Sequence, residues 1–128
     1  SGILHYLAGV SNFQDLQGNP LIANSWEGYV IEQVKEVVPA DIEIYFYRTH
    51  NGSESDLVMV RGSKPLACIE IKYSSAPKAS RGFRISIEDL RTENNFLITP
   101  KSDTYPAGDN ITVCSLFDFL SRHLDSII

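Results

Sequence analysis

Acidic residues at three separated points of the chain have the types and spacing of a magnesium site with a lysine beside it. Glu70 and Lys72 flank Ile71 in an apolar segment, Asp56 lies one short segment upstream, and Glu27 lies earlier still. Mg²⁺ prefers oxygen ligands, keeps several waters and lowers the pKa of a bound water. This set of residues therefore predicts metal-assisted cleavage of a phosphodiester bond.

Each predicted catalytic residue (Glu27, Asp56, Glu70 and Lys72) has its own expected role. Asp56 and Glu70 would bind Mg²⁺ or Mn²⁺, and the backbone carbonyl of Ile71 would supply a further oxygen ligand. Lys72 would hold the attacking water or stabilise charge on the pentavalent phosphorus. Glu27, reaching in from a helix, would bind a second metal ion or orient water.

The meeting of Asp56 and Glu70 depends on the hairpin between their two strands. Side chains alternate between the faces of a strand, and residues opposite each other in an antiparallel pair share a face. A three-residue loop at 62–64 would place Asp56 opposite Glu70, about 5 Å away. A two-residue loop would place Asp56 opposite Ile69 and separate the carboxylates. The site therefore requires an odd-numbered loop or an equivalent bulge.

Less specific interpretations exist for the same residues. Glu70 and Lys72 could form a surface ion pair, which contributes less than about 1 kcal/mol, and Asp56 could be a solvated acid beside a turn. The nearly continuous apolar run of residues 66–73 favours a central strand over a surface one. That position argues against the surface ion pair.

The first well-defined helix would carry Glu27. It is predicted to begin at an N-cap, Asn24 or Ser25, and to end before a proline. Its apolar side is formed by Trp26, Val30, Val34, Val37 and Val38. Glu27 flanks this side, whereas Glu32 and Glu36 fall on the polar side. Glu27 is therefore the acid expected to face the sheet.

The remaining periodicity predicts an α/β fold with a mixed sheet in the order α-β-β-β-α-β-β-α. Predicted strands cover residues 42–48, 55–60, 66–73, 96–99 and 111–114, and predicted helices cover 83–91 and 116–124. Leu116, Phe117, Leu120 and Leu124 are expected on the inward side of the last helix, after an N-cap at Ser115. No linker divides the chain, so residues 1–128 are predicted to form one domain, with residues 1–23 as a helical lead-in.

The charge balance of the 128 residues argues against general affinity for nucleic acid, because the formal net charge is −5. One stretch differs, since residues 71–87 contain basic side chains and no acidic one. Of these, Lys78, Arg81 and Arg84 are the predicted nucleic-acid contacts. The alternative is a solvated loop and helix start.

Targeting and redox signals are few. No apolar run reaches membrane-spanning length, and the first residues lack the pattern of a signal peptide. Cys68 and Cys114 lie in apolar segments and are expected to be buried thiols in a reducing compartment. These features predict a cytoplasmic location.

Five segments of the chain together resemble a known family: residues 1–7, the Ser-Trp-Glu-Gly-Tyr-Val-Ile-Glu run at 25–32, and residues 44–49, 54–58 and 69–75. They are similar to a C-terminal domain of unknown function of bacterial and archaeal AAA-type P-loop ATPases. The spacing Glu27…Asp56…Glu70-x-Lys72 resembles the PD-(D/E)xK nuclease superfamily. This resemblance implies a restriction-endonuclease-like core and an N-terminal ATPase domain as partner. Ser55 departs from the family, which often has an apolar residue there.

Two functions follow as hypotheses. The first is a Mg²⁺-dependent endonuclease or exonuclease acting on DNA, accessory to the ATPase. The second is a catalytically inactive nuclease-fold module that binds nucleic acid or assembles proteins. Neither the substrate preference nor the oligomeric state is predicted, and a homodimer is left open.

Overall fold

A computed structural model describes residues 19–128, which form helices packed on a six-stranded mixed sheet. The elements before the C-terminal helix are α1 (Pro20–Val37), β1 (Ile42–Arg48), β2 (Glu54–Arg61), β3 (Lys64–Ile71), α2 (Arg81–Leu90), β4 (Asn94–Thr99), β5 (Tyr105–Pro106) and β6 (Ile111–Ser115). The C-terminal helix consists of α3 (Leu116–Asp118), a π-helical segment (Phe119–His123) and α4 (Leu124–Ile127). The mixed α/β class predicted from the sequence is confirmed, and the predicted lead-in lies outside the described residues as far as residue 18.

The sheet has the order β1-β2-β3-β4-β6-β5. β1, β2 and β3 are antiparallel neighbours, β3, β4 and β6 run parallel, and β5 is antiparallel to β6. β3 is therefore an inner strand, as its apolar run predicted. The parallel strands β3, β4 and β6 end at one edge of the sheet, and β3 ends there with Glu70 and Ile71.

Two hydrophobic clusters cover the sheet. The larger one joins the buried side of α1 and the C-terminal helix to strand residues such as Leu57 and Ile69. The smaller one joins Phe83 of α2 to neighbouring strand residues such as Val58 and Cys68. Because Leu57 and Val58 are consecutive, the two clusters lie on opposite faces. No helix in residues 19–128 has both the length and the apolar character needed to cross a membrane.

Helix α1 begins five or six residues earlier than predicted. The Asn19 side chain, not Asn24 or Ser25, is the N-cap, and its Oδ1 accepts hydrogen bonds from the backbone N–H groups of Leu21 at 2.9 Å and Ile22 at 3.4 Å. Proline is favoured at the first helical position because it has no N–H to leave unpaired, so Pro20 starts this helix instead of preventing it.

The buried side of α1 consists of Ile22, Trp26, Val30 and Val34, so its centre matches the predicted stripe. Val37, predicted to be inward, is 50% exposed at the end of the helix.

The C-terminal helix differs from its predicted pattern at one aromatic position. Ser115 is the N-cap, as predicted, and its Oγ accepts a hydrogen bond from the N–H of Asp118 at 3.1 Å. Phe117, however, is 77% exposed, and Phe119 is the buried aromatic residue. Phe119 packs edge-on against Phe96, with ring centroids 5.1 Å apart. Phe119, one turn after Leu116, is therefore the aromatic residue that packs in the core.

Both cysteines are buried free thiols, as the sequence predicted. Burial raises the pKa of the Cys114 thiol to about 12, with a smaller contribution from Asp118. Such a thiol stays protonated at neutral pH and behaves as a small apolar side chain.

Candidate active site

A cleft of about 650 Å³ opens where β3 ends, and all four predicted catalytic residues line it. Glu27 reaches it from α1, Asp56 from β2, and Glu70 and Lys72 from the end of β3. The structure therefore brings together side chains that are far apart in the sequence. Glu27 precedes Glu70 by 43 positions and Lys72 by 45. Ile71, whose carbonyl is the predicted extra ligand, lines the same cleft.

The hairpin between β2 and β3 reaches the required register in an unexpected way. Arg61 pairs with Lys64, so the loop has two residues, Gly62 and Ser63, and the predicted three-residue loop is wrong. Gly62 has a φ of 62°, which favours glycine in such a tight turn.

A bulge in β3 then compensates for the short loop. Val60 pairs with Pro65 but Met59 pairs with Ala67, so Leu66 is an extra residue in β3. Beyond this bulge the pairs are Met59–Ala67, Val58–Cys68 and Leu57–Ile69, which is the register that the three-residue loop would have given. The bulge at Leu66 thus takes the place of the odd-numbered loop that the site requires.

A second bulge aims Asp56 into the cleft. Tyr45 pairs with Val58 and Tyr47 pairs with Ser55, so β1 advances by two residues while β2 advances by three. The extra residue of β2 lies at 56–57, opposite Phe46. Bulges redirect side chains and end regular pairing next to functional sites. Here the ladder between β2 and β3 has no pair beyond Leu57–Ile69.

The Asp56 carboxylate takes over where backbone pairing stops. Its Oδ2 accepts a hydrogen bond from the backbone N–H of Ile71 at 2.8 Å. A side-chain oxygen thus replaces the strand carbonyl that would otherwise accept from Ile71. This bond fixes the Asp56 carboxylate beside the Glu70-Ile71-Lys72 segment, and it accounts for the meeting that the sequence pattern predicted.

Glu70 is held from two sides. Its Oε2 accepts a hydrogen bond from the backbone N–H of Ser80 at 3.0 Å, and its Oε1 lies 3.5 Å from Nζ of Lys72. Ser80 is the N-cap of α2, so the carboxylate meets the positive end of the helix dipole. Only 7% of Glu70 is exposed, which excludes a fully solvated surface ion pair with Lys72.

Negative charge is crowded in this cleft. Burial raises the pKa of Asp56 to about 6, although the hydrogen bond from Ile71 opposes the shift. The neighbouring carboxylates of Glu27, Glu70 and Glu54 raise it further. Burial, and then the charge of Glu54, also raises the pKa of Glu27. Both pKa shifts therefore arise first from burial and then from neighbouring carboxylates.

Glu54 is a cleft residue that the sequence analysis missed. It lines the cleft beside Asp56, and its Oε1 accepts a hydrogen bond from Nη2 of Arg48 at 2.8 Å. The available signal was its position two residues before Asp56. The partner Arg48 was not visible in the sequence, because that contact depends on the register between β1 and β2.

The donor set of the cleft fits a hard divalent cation. Within residues 19–128, no cluster of three or more His, Cys, Asp or Glu side chains has the arrangement of a metal site. The predicted ligands are instead two carboxylates and a backbone carbonyl, and Mg²⁺ commonly binds through one or two carboxylates with waters completing the octahedron. Such a cation would also offset the mutual repulsion of Asp56, Glu27 and Glu70, which contributes to the raised pKa of Asp56 after burial.

The predicted nucleic-acid contacts are divided by the structure. Lys78 lines the cleft from the connection between β3 and α2. Arg81, the exposed first residue of α2, is not among the cleft-lining residues. Arg84 forms an ion pair with Asp109 and lines a separate depression of about 280 Å³.

Comparison with known proteins shows the family of this chain. Two uncharacterized proteins, Rv2008c of Mycobacterium tuberculosis and Mb2031c of Mycobacterium bovis, are each 32% identical over 111 residues. The match covers 87% of this chain and 25% of each relative, so the chain spans about a quarter of the length of the curated relatives it matches. No solved structure matches the chain. The model of a domain of unknown function, DUF4143, matches residues 23–119, and the chain therefore belongs to that family.

Proposed function

We propose that this domain is a Mg²⁺-dependent nuclease that cleaves DNA phosphodiester bonds. The observation that carries the proposal is the shared cleft of Asp56, Glu70 and Lys72, in which the Asp56 carboxylate is bonded to Ile71 between the other two. The two acids supply oxygen ligands for a hard cation, and the lysine supplies a positive charge that would stabilise the pentavalent phosphorus of the transition state.

The proposal includes a PD-(D/E)xK, restriction-endonuclease-like core. Three features support it: an antiparallel run of β1, β2 and β3, a helix α2 after β3, and a β4 parallel to β3. Glu27 on the helix before this run supports it further, because its carboxylate shares the cleft.

The side chains divide the chemistry among them. Asp56 and Glu70 would hold Mg²⁺ or Mn²⁺, with the Ile71 carbonyl as a further ligand. The bound ion would supply an activated water and neutralise charge on a phosphate oxygen. Lys72 lies within 3.5 Å of Glu70 and has three N–H donors for the water or the phosphate. Glu27, half-buried at the cleft, would orient the water or help to bind a second ion.

The test is metal binding measured together with cleavage. Calorimetry on the 128-residue chain should detect Mg²⁺ or Mn²⁺ uptake at millimolar concentrations, and a labelled DNA should be cut only when the metal is present. Metal at 100 times its Kd should raise the unfolding free energy by about 2.7 kcal/mol. Asp56→Asn and Glu70→Gln should abolish both effects.

Asp125→Asn is the matched control, because Asp125 is exposed in the C-terminal helix and does not line the cleft. A wild-type chain that takes up no metal would rule out the catalytic proposal.

A second proposal is an inactive module for nucleic-acid binding or protein assembly. The net charge of −5 favours protein assembly within this second proposal, since net negative charge weakens attraction for a polyanion. The chain covers 25% of each relative, which leaves room for other domains. We propose a cytoplasmic P-loop ATPase domain as the N-terminal partner. Metal uptake without cleavage of any DNA tested would favour this second proposal.

A further inference from the structure

The β1 strand carries an exposed aromatic ring. Phe46 is 57% exposed and lies opposite the bulge of β2 at 56–57. The Arg48 guanidinium lies over this ring, with Cζ 5.1 Å from the ring centroid. An arginine stacked on an aromatic ring keeps its edge free to donate hydrogen bonds. We call these two side chains the Phe46–Arg48 platform.

The platform is joined to the cleft by an ion pair. Arg48 Nη2 lies 2.8 Å from Oε1 of Glu54, and Glu54 lines the cleft with Asp56. The Arg48 side chain is 64% exposed, and a guanidinium has five N–H donors, so this ion pair leaves others for a ligand. The same bulge that turns Asp56 into the cleft thus lies across from the exposed ring.

We propose that the Phe46–Arg48 platform binds a single nucleic-acid strand and leads it into the cleft. A base would stack on the face of Phe46 that Arg48 does not cover, while Arg48 donates to a neighbouring phosphate. This inference rests on the proposed nuclease function and names its substrate class as single-stranded or locally unpaired DNA. A base in an intact duplex is already stacked on both sides, so using the ring would require unstacking.

A protein occupant is the competing possibility. Within residues 19–128, β1 is an edge strand of the sheet, and exposed edges can pair with a strand from another chain. This strand, however, carries the charged residues Glu43 and Arg48, both exposed, which is how natural edges resist such pairing. Lys72 and Lys78 add cations at the cleft itself. The combination of ring, guanidinium and cleft lysines favours a nucleic-acid strand.

Fluorescence anisotropy in EDTA tests the platform without requiring cleavage. The probe is labelled oligothymidylate about twelve nucleotides long, compared with a duplex of equal length. The single strand should bind more tightly than the duplex. Phe46→Ala should weaken binding about fivefold or more, which is the effect of losing about 1 kcal/mol of base stacking. Phe46→Trp should retain affinity, and Arg48→Gln should lower the salt dependence by about one phosphate contact.

Phe117→Ala is the matched control, because Phe117 is 77% exposed in α3 and should leave strand binding unchanged. The proposal is overturned if the wild-type chain does not bind the single strand, or if Phe46→Ala binds it as the wild type does. It is also overturned if Phe46→Ala only converts a dimer into a monomer in light scattering. If the single-stranded DNA binds through Phe46 but is not cleaved in the presence of metal, the platform proposal holds and the nuclease proposal is wrong.

Discussion

The Oδ2 atom of Asp56 accepts a hydrogen bond from the backbone N–H of Ile71 at 2.8 Å, at the point where the β2–β3 ladder stops. The carboxylate thereby serves the sheet as a hydrogen-bond acceptor and the cleft as an acid. The hydrogen bond from Ile71 favours the charged carboxylate, whereas burial and three neighbouring carboxylates disfavour it and raise the pKa of Asp56 to about 6. A partly buried carboxylate in a cleft with so raised a pKa is a candidate functional group.

Asp56→Asn should stabilise the metal-free protein above neutral pH. The native state holds a proton on Asp56 with a pKa of about 6, whereas the ordinary value is 3.8. Protonation therefore favours the folded state fully below the ordinary pKa, and this stabilisation is lost as pH rises through about 6. Asparagine carries no charge at any pH, and its Oδ1 can still accept from Ile71.

We expect Asp56→Asn to be more stable than the wild type by on the order of 2 kcal/mol at about pH 8 in EDTA, after allowing for partial solvent screening. The difference should shrink towards zero at about pH 4. Urea unfolding of both proteins at several pH values measures this difference in unfolding free energy. Titratable groups that both proteins share contribute equally and cancel in the difference. A variant less stable than the wild type at the higher pH would show that the hydrogen bond, not the charge, dominates.

Gly82 should resist substitution because the backbone passes too close. A Cβ at this position would lie 2.6 Å from the carbonyl oxygen of Gly52, which is backbone and cannot rotate away. Gly82→Ala should therefore shift α2 or the loop before β2 and cost about 1–3 kcal/mol. The effect would extend to metal binding, because α2 begins at Ser80, whose N–H holds Glu70.

Gly28→Ala is the matched control for Gly82→Ala. Gly28 is exposed within α1, and a Cβ there would meet nothing within 4 Å. Alanine should therefore stabilise the helix by about 0.5–1 kcal/mol. Thermal unfolding of both variants measures the two effects. Equal stabilities would contradict the predicted contact with Gly52.

The sequence predicted those parts of the site that depend on one element at a time. Helical periodicity selected Glu27 over Glu32, and a continuous apolar run indicated that β3 is an inner strand. The N-cap at Asn19 was missed because Asn24 and Ser25 also carry side chains that can cap a helix. Phe117 was placed inward because the apolar stripe alone does not decide which of two nearby rings the core accepts.

Features that depend on two strands could not be predicted in the same way. The bulges at Leu66 and at 56–57 each arise from one extra residue in a ladder, and neither strand alone shows where pairing will slip. The ion pair between Arg48 and Glu54 has the same origin, since the two residues are opposite partners in that ladder. The sequence could state only the condition, an odd-numbered loop or an equivalent bulge, because a single-residue slip turns every side chain of a strand to the other face. The bulge at Leu66 meets that condition.

Glu27→Gln should separate catalysis from stability. Glu27 is half-buried at the cleft, where burial and Glu54 raise its pKa, so removing its charge should leave stability unchanged or slightly higher. If Glu27 orients water or assists the metal, DNA cleavage should fall by about 10–100-fold, as expected for a group that acts beside the primary ligands. Glu32→Gln is the control, because it changes an exposed acid on the polar side of the same helix.

Initial cleavage rates and thermal unfolding of both variants provide the measurement. Equal rates for the two variants would remove Glu27 from the proposed catalytic group and leave Asp56, Glu70 and Lys72 as its members.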